Sequence, residues 1–137
     1  MTELRVLVVE DSEDDALLML LQLRRGGYHI VHERVDTPDA MRAALTLPWD
    51  IVISDYTMPS FSGPAALSLF SETGLDCPFI VVTGTIGEES AVALMKMGVS
   101  DFVLKTNLPR LPGVVERELR EADLRRAKRR AEEALRV

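Results

Sequence analysis

Only one cysteine, Cys77, occurs among the 137 residues. No internal disulfide can form, and no cysteine–histidine cluster has the spacing of a zinc site. A reduced, cytoplasmic setting fits this scarcity. Long apolar runs are also missing: the longest unbroken one, Ala16–Leu21, is far too short to cross a bilayer. Met1–Glu3 lead straight into Leu4, Val6, Leu7, Val8 and Val9 without a secretory signal, so a soluble protein is expected. The glycine-rich stretch Gly84-Thr85-Ile86-Gly87 lacks the Gly-Lys-Ser/Thr ending of a nucleotide phosphate loop. His29 and His32 have no partner at metal-ligand spacing and read as structural or surface residues. No internal repeat or low-complexity segment is present.

An excess of positive charge is absent too, since the net charge is −6. Residues 1–107 hold 16 acids and 7 bases (−9), and residues 108–137 hold 6 acids and 9 bases (+3). An acidic body speaks against nucleic-acid binding. The basic tail interleaves its charges with acids and has no aromatics, as a solvated helix face does. Direct nucleic-acid or membrane contact is therefore not expected.

Hydrophobic residues make up 47% of the chain and charged residues 28%, enough for one domain to bury a core without staples. Short apolar runs at Leu4–Val9, Tyr28–Val35, Ile51–Ile53, Phe79–Val82 and Phe102–Leu104 alternate with helical patterns. Three runs are almost purely Val, Ile and Leu, as strands buried on both faces of a parallel sheet are. Tyr28–Val35 carries His29, His32, Glu33 and Arg34 and reads as an edge strand. Phe102–Leu104 reads as the other edge. Helices are predicted over Asp14–Arg25, Thr37–Leu47, Pro64–Thr73, Glu88–Met97 and Leu111–Leu135, with Ser12 and Thr37 as N-caps. Strict alternation of five strands and five helices implies an α/β fold: a doubly wound, five-stranded parallel sheet with right-handed crossovers and strand order 2-1-3-4-5. After Leu119 the chain is nearly all Glu, Arg, Ala, Leu and Lys. A domain over 1–122 followed by a helical extension or linker over 123–137 is expected.

Ligands of open parallel sheets sit beyond the carboxyl ends of the strands. The first run there ends in Glu10-Asp11, the third in Asp55, the fourth in Thr83-Gly84 and the fifth in Lys105. Bare clustered carboxylates repel one another and take up protons, a conflict that a hard divalent cation such as magnesium removes. Asp55 then stays ionised, a competent nucleophile toward phosphorus. The Lys105 ammonium and the Thr83 hydroxyl stand where charge on a transferred phosphoryl group would need neutralising, and Gly84 leaves room for it. Singly, each residue reads as a strand cap, a turn hydroxyl or a surface lysine; the information is in the combination.

The stretches Val8-Val9-Glu10-Asp11, Asp55-Tyr56-Thr57-Met58-Pro59 with Gly63, Val82-Thr83-Gly84 and Asp101-Phe102-Val103-Leu104-Lys105 come in this order. On them the chain resembles the response-regulator receiver (CheY-like) domain of two-component signalling, over about residues 4–120. The resemblance implies a flavodoxin-like (βα)5 fold and a signalling switch that is no enzyme beyond its own phosphorylation and dephosphorylation. Asp55 would take phosphoryl from a histidine of a sensor histidine kinase or histidine phosphotransfer protein. Asp11, Asp55 and the Thr57 backbone carbonyl would bind Mg2+, with Glu10 contributing mostly through water. Thr83 and Lys105 would hold the phosphoryl oxygens. Phe102 would swing inward with Thr83 and pass the change to the surface of the fourth helix, fifth strand and fifth helix. The surplus apolar residues of the first helix, Leu18 and Met19, would contact the phosphodonor.

The chain departs from the family's commonest pattern in three places, the third a pair of positions. Glu10 replaces an aspartate and lengthens one acidic arm. Thr106 follows Lys105 in place of proline, so a cis bond there would cost about 3 kcal/mol and the loop is expected to differ in shape. Thr57 and Thr85 stand where the family tunes phosphoryl hydrolysis, and neither is a carboxylate or amide that positions water; slow decay is expected. The final helix has one stripe expected to dock on the sheet (Val115, Leu119, Ala122). A second stripe (Leu124, Ala127, Ala131, Ala134) would suit a coiled-coil seam in a homodimer or larger protein. The chain would be a stand-alone receiver or part of a longer sensor protein. Two other functions compete. A receiver-like interaction scaffold independent of phosphorylation would not be labelled by a small phosphodonor. A phosphohydrolase with an aspartate nucleophile would want a second aspartate where Thr57 stands.

Overall fold

The computed structural model describes residues 2–59, 61–84 and 87–136. Strands β1 (Thr2–Val9), β2 (Tyr28–Val35), β3 (Ile51–Asp55), β4 (Phe79–Thr83) and β5 (Asp101–Leu104) form one sheet of order β2-β1-β3-β4-β5. All four ladders are parallel, as the Val/Ile/Leu runs predict. Helices α1 (Glu13–Arg25), α2 (Pro38–Ala44), α3 (Gly63–Glu72), α4 (Glu88–Lys96) and α5 (Leu111–Leu135) connect and follow the strands. Ser12 caps α1 by accepting from the Asp15 N–H, and Thr37 caps α2 by accepting from the Ala40 N–H.

Period-two alternation divides the strands between two cores. Leu7, Val9, Val52 and Val81 meet Met41, Leu67 and Leu94 of α2, α3 and α4. Val6, Val8, Ile53, Ile80 and Val82 meet α1 and the start of α5. Register then fixes the upper rim. Val9 pairs with Ser54, which puts the next residues, Glu10 and Asp55, level with each other. Asp55 pairs with Val82 and Thr83 with Leu104, so Thr83 and Lys105 follow one step beyond.

The first helix corrects one expectation. Met19 is core, not surplus: with Ala16, Leu20 and Leu23 it makes the i, i+3, i+4, i+7 stripe that packs on the sheet. The outward leucines are Leu17, Leu18 and Leu21, each 41–52% exposed.

The connection after Lys105 has its own shape. Lys105–Arg110 is a 3-10 segment interrupted at Asn107, and all peptide bonds among the described residues are trans. It carries the chain from the carboxyl rim of the sheet toward the amino rim. Pro112 lies against Gly26, where an added Cβ would come within 2.7 Å of the proline Cβ. Further along α5, Arg117 pairs with Asp101 at the start of β5, and Arg126 donates to the Asp76 carbonyl ahead of β4 at 2.5 Å. Helix α5 therefore runs past the amino ends of the strands, opposite the rim that carries the acids. Val115 and Ala122 of its expected docking stripe are buried and Leu119 is half-buried; Leu111, Val114 and Glu118 join them. Leu124 and the alanines of the second stripe are exposed.

Gly63 ties the loop after β3 back onto that strand. Its N–H donates to the Tyr56 carbonyl at 2.8 Å, and a Cβ there would stand 2.9 Å from the Tyr56 Cα and 3.0 Å from the Asp55 carbonyl oxygen. All the obstructing atoms are backbone, so nothing flexible can yield. Gly63→Ala is expected to cost about 1–3 kcal/mol, read as a lower midpoint of urea unfolding; an unchanged midpoint would contradict the close approach.

Candidate functional site

The end of β1 delivers two acids with opposite environments. Glu10 is fully buried; its N–H donates to the Val35 carbonyl at 3.0 Å, and its own carbonyl accepts from Arg34 at 3.1 Å. Asp11, the next residue, is exposed. Asp55 closes β3 and is 5% exposed, with Oδ1 accepting the Tyr56 N–H at 2.9 Å. One carboxylate oxygen from each of Glu10, Asp11 and Asp55 lies within 4.8 Å of the others.

Lys105 stands over this group. Its Nζ is 2.9 Å from Asp15 Oδ2, 3.1 Å from Glu10 Oε1 and 3.5 Å from Asp55 Oδ1. Partial burial works against the ammonium, but hydrogen bonds to Asp15 and Glu10 and the charges of Glu10 and Asp55 outweigh it. The lysine pKa is raised and the group is fully charged near neutrality. The hydrogen bond from Lys105 likewise lowers the Asp15 pKa. Glu10 goes the other way. Burial above all, then the proximity of Asp55, pushes its carboxyl up to about 8 against the pull of Lys105.

The donor set fits a hard divalent cation. Among the described residues Glu10 Oε2 is buried without a hydrogen-bond partner, and a buried carboxylate oxygen left so is costly. Beside it are two more carboxylates, and among the described residues no cysteine or histidine joins the cluster, the ligand chemistry of magnesium and not of zinc. Next to the acids, Asp55, Thr57, Thr83, Gly84 and Lys105 line an open cleft. Thr83, the last residue of β4, is buried, and Thr57 and Gly84 are exposed.

Glu10, Asp11, Asp55, Thr57, Thr83 and Lys105, all singled out from the sequence, thus meet at one rim. Phe102 is elsewhere: it sits half-buried on β5 and packs against the core shared with α2, α3 and α4. Thr85 lies outside the described residues. Asp15 is a member that sequence reasoning missed. The signal was present: Asp15 is the third residue after the Ser12 cap, and the first turn of a helix that starts directly beyond β1 must hang over the same rim.

The strand ends of this parallel sheet gather three carboxylates opposite the Lys105 ammonium. The chain belongs to the response regulator receiver domain family, which matches residues 6–116. Among curated relatives it is 26% identical over 106 residues to the alkaline phosphatase synthesis transcriptional regulatory protein PhoP of Bacillus subtilis, covering 77% of this chain and 44% of that protein. It is 31% identical over 102 residues to the transcriptional regulatory protein DltR of Streptococcus agalactiae, covering 74% and 45%. The chain therefore spans about half the length of these relatives. A signal receiver domain from Vibrio parahaemolyticus superposes with a TM-score of 0.78 at 30% identity, over 91% of this chain and 96% of that one. The Francisella response regulator 1452 receiver domain gives 0.74 at 20% identity, over 86% and 98%, a likeness of fold. The chain is thus a signalling domain of the phosphorylation-based two-component kind. No helix among the described residues is long and apolar enough to cross a membrane.

Proposed function

We propose that Asp55 accepts a phosphoryl group from a histidine of a partner sensor histidine kinase or histidine phosphotransfer protein. In that step the phosphorus–nitrogen bond to the donor imidazole breaks and a phosphorus–oxygen bond to an Asp55 carboxylate oxygen forms. The observation that carries the reading is the single ammonium of Lys105, 3.5 Å from Asp55 and bonded to Glu10, at the mouth of a cleft that Thr83 also lines. Glu10, Asp11, Asp55 and the Thr57 carbonyl would hold Mg2+, which when bound supplies positive charge for the phosphoryl oxygens. Lys105 supplies the second positive charge, and the Thr83 hydroxyl donates to a third oxygen. Gly84, with no side chain, keeps the approach to Asp55 open.

Thr83 and Phe102 occupy the ends of the proposed relay, from the cleft to the surface bounded by α4, β5 and α5. Residues 1–122 would be the receiver and 123–137 a helical extension whose exposed Leu124, Ala127, Ala131 and Ala134 offer a seam for a second copy. The test is intact mass after incubation with magnesium and acetyl phosphate, which should show the gain of one phosphoryl group. Thr57 cannot act as a general base toward water. The labelled protein, freed of donor, is accordingly expected to decay slowly; a half-life of seconds would contradict that expectation.

A further inference from the structure

The nearest carboxylate to Lys105 is not one of the three at the strand ends but Asp15, on the first turn of α1 at 2.9 Å. An ammonium has three N–H donors. Two are engaged by Asp15 and Glu10, and only the third faces Asp55, at a distance beyond that of its other two bonds. Asp15 is itself held in place, because its N–H donates to Ser12 Oγ and its helix is capped there. An acid in a first helical turn is ordinarily explained by the helix dipole alone. Asp14, in the same turn, meets that description: it is exposed and makes no ion pair among the described residues. Asp15 differs by its direct bond to the residue that faces the incoming group.

From this geometry we infer that Asp15 is a positioning residue that restrains Lys105, so that an anion on Asp55 must compete with it for the ammonium. The inference rests on the phosphoryl-acceptor reading of Asp55. Neutralising Asp15 removes a competing negative charge and turns a charge-assisted bond to the ammonium into a weaker neutral one, so the anion competes for Lys105 more easily. The restraint therefore sets how readily the site fills, and loosening it favours the occupied state.

The test uses beryllofluoride, a tetrahedral phosphoryl analogue, titrated calorimetrically at saturating magnesium into wild type, Asp15→Asn and Asp14→Asn. Asp15→Asn is expected to bind it about two- to fivefold more tightly, the span of a partly exposed ion pair, with Asp14→Asn equal to wild type. A second, metal-free readout follows acetylation of Lys105 relative to Lys96 by a pulse of acetic anhydride, resolved by peptide mass. Lys105 should gain reactivity in Asp15→Asn only. Equal or weaker analogue binding by Asp15→Asn, or equal tightening in Asp14→Asn, would overturn the inference while leaving the acceptor reading intact. Failure of the wild type to bind beryllofluoride would overturn the acceptor reading and the inference with it.

Discussion

Asp55→Asn is expected to lose all phosphoryl uptake from acetyl phosphate while remaining folded, with a melting temperature equal to or above that of the wild type. Asparagine has the same shape and keeps an acceptor for the Tyr56 N–H that now bonds Oδ1 at 2.9 Å. It lacks the anionic oxygen that must attack phosphorus. The stability half of the prediction comes from Glu10. That carboxyl is fully buried, with one oxygen unpartnered among the described residues, and burial together with the nearby Asp55 makes its charged form unfavourable. An amide at position 55 removes the like charge and adds a donor facing Glu10. Intact mass and thermal melts on the same preparation check both halves. A phosphoryl gain in Asp55→Asn would place the acceptor elsewhere.

Lys105→Met is expected to slow phosphoryl uptake by roughly 10²–10³-fold, the usual consequence of removing one fixed donor from a transition-state anion. Methionine preserves the length and apolar stem of lysine but not its charge. Asp55 is retained, so the same product should form given time, which separates this defect from loss of the acceptor. Magnesium affinity should hold or rise, because Glu10 and Asp55 lose the cation that competes for them. Lys105→Arg should not restore the rate fully, since a planar guanidinium cannot reach Asp15, Glu10 and Asp55 from one nitrogen. A wild-type rate in Lys105→Met, by time-resolved intact mass, would remove the lysine from the proposed mechanism.

The fold was legible because its signals are local. Val6–Val9, Ile51–Ile53 and Phe79–Val82 are apolar at every position, which only strands covered on both faces tolerate, and the mixed β2 sequence marks an edge. Parallel pairing then converts strand ends into neighbours, so the meeting of Glu10, Asp55, Thr83 and Lys105 follows from register. What escaped was long-range. The path of α5 depends on Pro112 finding Gly26 and on Arg126 and Arg129 finding Asp76, contacts between segments far apart in sequence. Met19 was obscured because α1 is apolar nearly all round, and only packing shows that Leu18 points outward. Asp15 was hidden by its ordinary appearance as a first-turn acid.

In the proposed mechanism the pocket's electrostatics make one carboxylate, Asp55, a phosphoryl acceptor in the presence of a dication. Peptide mapping by tandem mass spectrometry after acetyl phosphate treatment, with magnesium or with a chelator, tests this most directly. The predicted result is a single phosphoryl group on the peptide containing Asp55, lost when the metal is chelated. A phosphoryl group on Asp11 or any other residue, or undiminished labelling under chelation, would contradict it.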